Sequence, residues 1–254
     1  MSRYIRIDNL KLTKLWHCFG SSHHLADMKT VIEIANHSRS NVLPVNTHNL
    51  DFNSGRKGLE LGYAGVSLDE LAEALDTSEK IIMLNINLQT SARCAVAKTL
   101  LAFQLTGEKM IKLEVLNEDY LTSNQSELIL AYQMLKNIDE SLEVLPLIDN
   151  DYAIAAQLVG MGCSLLRVMG SKIGGCKGII DKSSFRKICS LGVPVILDGG
   201  IGHVDDAIEA LFLGAQGVLV NSMLFEQSIE AGRVMGDFSH RFYSAVDTCS
   251  LTHA

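Results

Sequence analysis

Short apolar runs alternate with longer amphipathic stretches along this chain, and glycine or polar turns separate them. Apolar runs of four to eight residues between turn signals read as buried strands, and apolar positions three and four apart read as helices. Strands are expected over 12–19, 42–45, 81–86, 112–116, 143–148, 164–168, 193–197 and 217–220. Helices are expected over 25–36, 67–75, 91–105, 126–138, 151–159, 183–190, 204–213 and 228–241. Punctuation supports the division. Ser67 with Glu70 three residues on is a capping box, and Gly107, Gly160, Gly162 and Gly214 fall where helices must stop. The stretch 51–65 is glycine-bearing and has no clear period. Eight alternating β/α units in about 250 residues predict an α/β chain folded as a (β/α)8 TIM barrel, with a doubly wound sheet as the alternative.

Composition narrows the picture. The chain has 254 residues, 47% hydrophobic and 20% charged, with three prolines and no linker-like tract. One domain spanning 1–254 is expected. The net charge of −7 argues against a nucleic-acid or membrane surface, and no apolar run reaches membrane-spanning length. Six cysteines show no CxxC pair, so reduced thiols in a cytoplasm are expected. Histidines 17, 23, 24 and 48 supply no clear ligand set, and no metal is expected.

Chemistry concentrates at strand ends, where barrels carry their active sites. In 110-Met-Ile-Lys-Leu-Glu-Val-115, Lys112 and Glu114 lie two apart and share one strand face. A buried charge is costly unless paired or used. A lysine beside a carboxylate in a water-poor pocket suits imine formation, because desolvation favours the neutral amine and the carboxylate can carry protons. A structural ion pair is the plainer alternative. Asp198 ends the seventh strand. Three late loops carry anion-binding character: Gly170 to Gly178, Asp198-Gly199-Gly200-Ile201-Gly202, and Asn221-Ser222. Glycines let backbone N–H groups approach a phosphate closely.

Taken together, Lys112-Leu-Glu-Val, Gly170-Ser171-x-Ile-Gly174, Val193 through Gly202, and Gly217-Val-Leu-Val-Asn221-Ser222 resemble the thiazole synthase of bacterial thiamin biosynthesis, strongest over 112–222. The resemblance implies a cofactor-free homotetrameric barrel. It would join 1-deoxy-D-xylulose 5-phosphate, dehydroglycine and sulfur from the C-terminal thiocarboxylate of a small sulfur carrier protein. It implies an imine at Lys112, acid–base roles for Glu114 and Asp198, and sugar-phosphate contacts from Gly170, Gly199, Gly200, Asn221 and Ser222. The early loops depart from the family. Its glycine-rich first turn is His17 to Ser22 here, and the place of its arginine pair after the second strand reads Val45-Asn46-Thr47-His48. Its Pro-Asn-Thr-Ala-Gly after the third strand becomes Leu84 to Thr90. Neutral side chains do not replace bidentate arginine donors. A sulfur-incorporating relative acting on another ketose phosphate is therefore an alternative, as is a non-catalytic phosphate-binding scaffold. Cys176 is a free loop thiol with a possible sulfur-handling role.

Overall fold

The computed structural model describes all residues except 1, 22, 64, 227–229 and 252–254, and no side chains at 249–251. Eight strands form the barrel: β1 Leu15–His17, β2 Val42–Asn46, β3 Ile81–Gln89, β4 Met110–Val115, β5 Glu143–Ile148, β6 Leu166–Val168, β7 Val195–Asp198 and β8 Gly217–Val220. Eight helices alternate with them: α1 Met28–Ser38, α2 Leu68–Ala74, α3 Ala92–Thr106, α4 Gln125–Ile138, α5 Tyr152–Gly160, α6 Lys182–Cys189, α7 Val204–Leu213 and α8 Ala231–Leu251. The strands are hydrogen-bonded in the order β2-β3-β4-β5-β6-β7-β8-β1, every pair parallel. This is a nearly closed (β/α)8 barrel, as the alternation predicts.

Beside the seam between β1 and β2, Asn41, just before β2, is bonded to the segment just before β1. Asn41 Oδ1 accepts from Thr13 N at 2.8 Å, its N–H donates to Thr13 Oγ1 at 3.2 Å, and its Nδ2 donates to Lys11 O at 2.7 Å. The first strand expected over 12–19 is in fact two. Tyr4–Ile7 and Leu10–Thr13 pair antiparallel as a hairpin, and β1 follows after Lys14. Ile5, Ile7 and Leu12 of that hairpin pack with Trp16, Val42, Met83, Met110, Leu145 and Ile196. The hairpin thus plugs the N-terminal end of the barrel, which is why its alternating pattern carries buried apolar residues.

Helix ends follow local chemistry. Ser67 and Glu70 form the expected capping box on α2. Asp27 caps α1 from outside the helix, accepting from Thr30 N at 2.9 Å. The expectation of a helix from Leu25 is corrected: Leu25 is exposed and bridges back to Gly20 instead. The closing helix runs ten residues past its expected end at Arg241, and its expected start at Ser228 lies outside the described residues, as does Ser22 of the first turn. Among the described residues no helix is long and apolar enough to cross a membrane, and the five described cysteines are free thiols.

Strand alternation sorts each wall into two faces. On β4, Ile111, Leu113 and Val115 face the helices, while Met110 joins the apolar plug. Lys112 and Glu114 share the Met110 face, so both point into the barrel. The same parity puts Arg167 inside with Leu165, and Asp198 inside with Ile196. The barrel interior therefore changes from an apolar floor to a charged layer near its C-terminal mouth.

His17 titrates against the fold. It is fully buried, packs edge-on against Phe19 at 4.8 Å, and its Nδ1 has no partner among the described residues. Burial, helped by Lys80, lowers its pKa from 6.5 to about 3. Between those values the unfolded chain binds a proton that the folded one refuses. Stability is therefore fully present above about pH 6.5 and declines as pH falls toward 3, by up to about 1.4 kcal/mol per pH unit. Thermal melts between pH 7.5 and 5 should show this slope, and His17→Phe should flatten it.

Candidate active site

A cavity of about 460 Å³ opens at the C-terminal mouth of the barrel. Four buried charges lie at and beneath its floor; Lys112, Glu114 and Asp198 line it, and Arg167 sits behind them. Lys112, Glu114, Arg167 and Asp198 are 4%, 7%, 0% and 7% exposed. Arg167 is the hub: its guanidinium donates to Asp198 Oδ2 at 2.7 Å through Nε and to Glu114 Oε1 at 2.7 Å through an Nη. Its other Nη donates to the carbonyls of Leu145 at 3.1 Å and Leu113 at 3.4 Å. Glu114 Oε1 also accepts from Lys112 Nζ. Two cations and two anions cancel, so the layer is neutral when all four are ionised. Burial alone would raise the Glu114 pKa, but Lys112 and Arg167 hold it below the usual carboxylate range. The anions around Arg167 likewise outweigh its burial and raise its pKa.

A row of amides extends from this cluster. Lys112 Nζ donates to Asn85 Oδ1 at 3.2 Å, Asn85 Nδ2 to Asn46 Oδ1 at 2.7 Å, and Asn46 Nδ2 to Gly62 O at 2.7 Å. Asn85 pairs with Lys112 in the β3–β4 register, and Asn46 with Asn85 in β2–β3. Register alone therefore lines these side chains up across the mouth. Further out, Tyr63 stacks on His48 at 4.7 Å and accepts from Asn87 Nδ2 at 2.7 Å. Burial, with Glu114 acting in the same sense, pushes the Tyr63 phenol up to about 12.

The opposite wall is made by the late glycine loops. Gly199 and Gly200 line the cavity with φ of +106° and +94°. A Cβ on Gly200 would come within 2.7 Å of Gly178 O and 2.8 Å of Ser171 N, so only glycine fits between the β6 and β7 loops. Gly170 does not line the cavity. Its N–H donates to Gly199 O at 3.0 Å. Asn221 lines the cavity, but both ends of its amide engage the backbone of Gly20, at 2.8 Å and 3.1 Å. It ties the β8 loop to the β1 loop above the β8–β1 ladder. Ser222 lines the cavity beside it. Lys172 and Lys177 are exposed.

Sequence reasoning singled out Lys112, Glu114 and Asp198, and the fold brings them together. It missed Arg167, although the signal was present: a charge inside the apolar run Leu165-Leu166-Arg167-Val168. It also missed Tyr63, whose loop has no period. Two thiols line the cavity. Burial raises the Cys18 thiol to about 11, and burial with a bond to Glu226 at 2.9 Å raises that of Cys176 to about 12. Among the described residues no group of three or more metal-ligating side chains comes together.

Fold and site define a (β/α)8 barrel with a lysine–carboxylate–guanidinium cluster under a glycine-lined mouth. The family model described as thiazole biosynthesis protein ThiG matches residues 26–235, and the chain belongs to that family. The thiazole synthase of Prochlorococcus marinus (strain NATL1A) is 32% identical over 198 residues, covering 70% of this chain and 71% of that protein. The thiazole synthase of Psychrobacter arcticus is 37% identical over 133 residues, covering 52% of this chain and 46% of that protein. The Amycolatopsis orientalis BexX/CysO complex superposes with a TM-score of 0.82 at 21% identity, over 96% of this chain and 94% of that one. The thiamine phosphate pyrophosphorylase of Pyrococcus furiosus superposes at 0.59 and 16% identity, over 91% and 96%. These two share the fold.

Arg167 makes the cluster testable. Removing it leaves two buried carboxylates with only Lys112 to balance them. Breaking a buried ion pair costs about 3–5 kcal/mol. Arg167→Met should therefore lower stability by about that amount in denaturant titration.

Proposed function

We propose that this protein is a sulfur-incorporating synthase of the thiazole synthase type, in which Lys112 forms an imine with a ketose phosphate. The observation that carries the reading is the buried Lys112 in direct contact with Glu114, under an open cavity. Glu114 takes a proton from the Lys112 ammonium, giving a neutral amine and a neutral acid without changing the net charge of the buried layer. The amine adds to the ketose carbonyl and water leaves, forming the imine. The adjacent C–H is then acidic. A carboxylate removes that proton and another group returns one, which moves the carbonyl along the sugar. Asp198 is the second acid–base group, aimed by Arg167. A thiocarboxylate sulfur adds to the shifted ketone, and the ketone oxygen leaves with the donor as its carboxylate, so sulfur replaces oxygen with no change of oxidation state. Gly199, Gly200 and Ser222 hold the phosphate, whose negative charge suits close-approaching backbone N–H groups.

The family resemblance makes 1-deoxy-D-xylulose 5-phosphate the first ketose to test, with dehydroglycine as co-substrate. A small carrier protein's thiocarboxylate is the proposed sulfur donor, and a homotetramer the proposed assembly. A specific observation favours a second reading with a different ketose phosphate. Where the family has arginines, Asn46 and Thr47 are bonded to Asn85 and Gly62, and His48 faces Glu60 at 3.5 Å. That wall offers neutral partners.

Intact-mass spectrometry after incubation with a ketose phosphate and borohydride tests the imine. A reduced adduct should form in the wild type and vanish in Lys112→Ala. A folded wild type that forms no adduct with any ketose phosphate sinks this reading in favour of a scaffold. Glu114→Gln and Asp198→Asn should each slow turnover by about 10²–10⁴, read as product formed per enzyme.

A further inference from the structure

Asn87 sits where β3 leaves the barrel, and its geometry is unusual in two ways. The β3–β4 register slips between Ile86 and Gln89, so the strand bulges there. Within the bulge Leu88 has φ +59°, a left-handed conformation that costs a branched side chain free energy and clusters at functional sites. Gln89 Nε2 braces it by donating to Asn87 O at 2.9 Å. Asn87 itself is 6% exposed and lines the cavity, yet its Oδ1 has no hydrogen-bond partner among the described residues. A buried unpaired amide oxygen is costly unless something satisfies it. Its nitrogen is already spent on Tyr63 Oη at 2.7 Å. Accepting that bond leaves the Tyr63 hydroxyl its own proton to donate, and Tyr63 also lines the cavity. The pair therefore offers one acceptor and one donor. Rotating the amide exchanges its two atoms, and a hydroxyl, which both donates and accepts, satisfies either arrangement.

The location says which part of a substrate this pair meets. In the ring of eight strands β3 lies four places from β7, on the opposite side of the mouth from Gly199 and Gly200. Asn87 is two residues beyond Asn85, the neighbour of Lys112, so it stands roughly 6–7 Å further up the wall. A ketose with its phosphate on the glycine loops and its carbonyl carbon on Lys112 presents its unphosphorylated end here.

We propose that Asn87 and Tyr63 read that end, and select a ketose phosphate carrying a hydroxyl on its terminal carbon over the 1-deoxy analogue. The inference rests on the imine reading above. A methyl group at this point would leave the Asn87 amide unpaired, whereas a hydroxyl completes it. Sites built to hydrogen-bond a substrate hydroxyl discriminate strongly against the analogue lacking it.

D-xylulose 5-phosphate and its 1-deoxy counterpart differ by this one oxygen, and borohydride trapping of each over a concentration series reads the preference. The wild type should reach half-saturation with the hydroxylated ketose at a concentration at least about tenfold lower. Tyr63→Phe keeps the ring that stacks on His48, and Asn87→Leu keeps the volume. Each should weaken trapping of the hydroxylated ketose and leave the 1-deoxy sugar almost unchanged. Equal or better trapping of the 1-deoxy sugar by the wild type overturns the proposal, as does an equal loss for both sugars in the variants. Calorimetric binding of the two sugars to Lys112→Ala reads the same preference without an imine. A preserved preference there, with no adduct in the wild type, sinks the imine reading and leaves the hydroxyl site standing. Equal binding, or none, overturns the site.

Discussion

The guanidinium of Arg167 is the constraint on which the rest of the site depends. It is wholly buried at the centre of the barrel and holds both carboxylates of the charged layer, from β4 and from β7. Without it, Glu114 and Asp198 would be two anions in a water-poor space, facing one lysine. With it, the layer is neutral and both carboxylates have fixed directions. In the proposed reaction Lys112 then exchanges its proton with Glu114, the carboxylate it touches. Arginine suits this position because its fork reaches two carboxylates and two backbone carbonyls at once and stays charged throughout.

Around that hub the barrel divides its labour by height and by side. The floor is apolar and sealed by the N-terminal hairpin. Above the charged layer, the β7 and β8 loops bring glycines and Ser222 to one side, while the β2 and β3 ends bring amides and a phenol to the other. Asn221 joins the last loop to the first by gripping Gly20, which extends the β8–β1 ladder into the mouth through a side chain. Two features of the reaction could thus vary separately. On the proposed reading the late loops hold the phosphate and the early loops decide what the other end of the ligand must be.

The fold was legible because each β/α unit obeys its own local rules. The strands at 143–148 and 217–220 and the helix at 204–213 match expectation to the residue, each bounded by clear turn or cap chemistry. Lys112, Glu114 and Asp198 were legible because period-two alternation places them on the inner face. Arg167 followed the same rule and was passed over, since a single charge in a three-residue strand gives little periodicity to read. Gly170 and Asn221 show a different limit. Residue type marks a loop as able to bind an anion, but only the folded chain shows that those groups are already satisfied by Gly199 and Gly20. The N-terminal hairpin stayed hidden because its polar residues alternate with the apolar ones that plug the barrel.

A double-mutant cycle on the folded protein tests most directly whether Arg167 and Glu114 act as one unit. Stabilities of the wild type, Arg167→Met, Glu114→Gln and the double variant would be compared by denaturant titration. The account predicts that Glu114→Gln recovers part of the loss caused by Arg167→Met, with a coupling of at least about 1 kcal/mol, because the charge left unbalanced is then removed. Strictly additive losses would contradict it, and would mean that the buried arginine does not hold this carboxylate in the working protein.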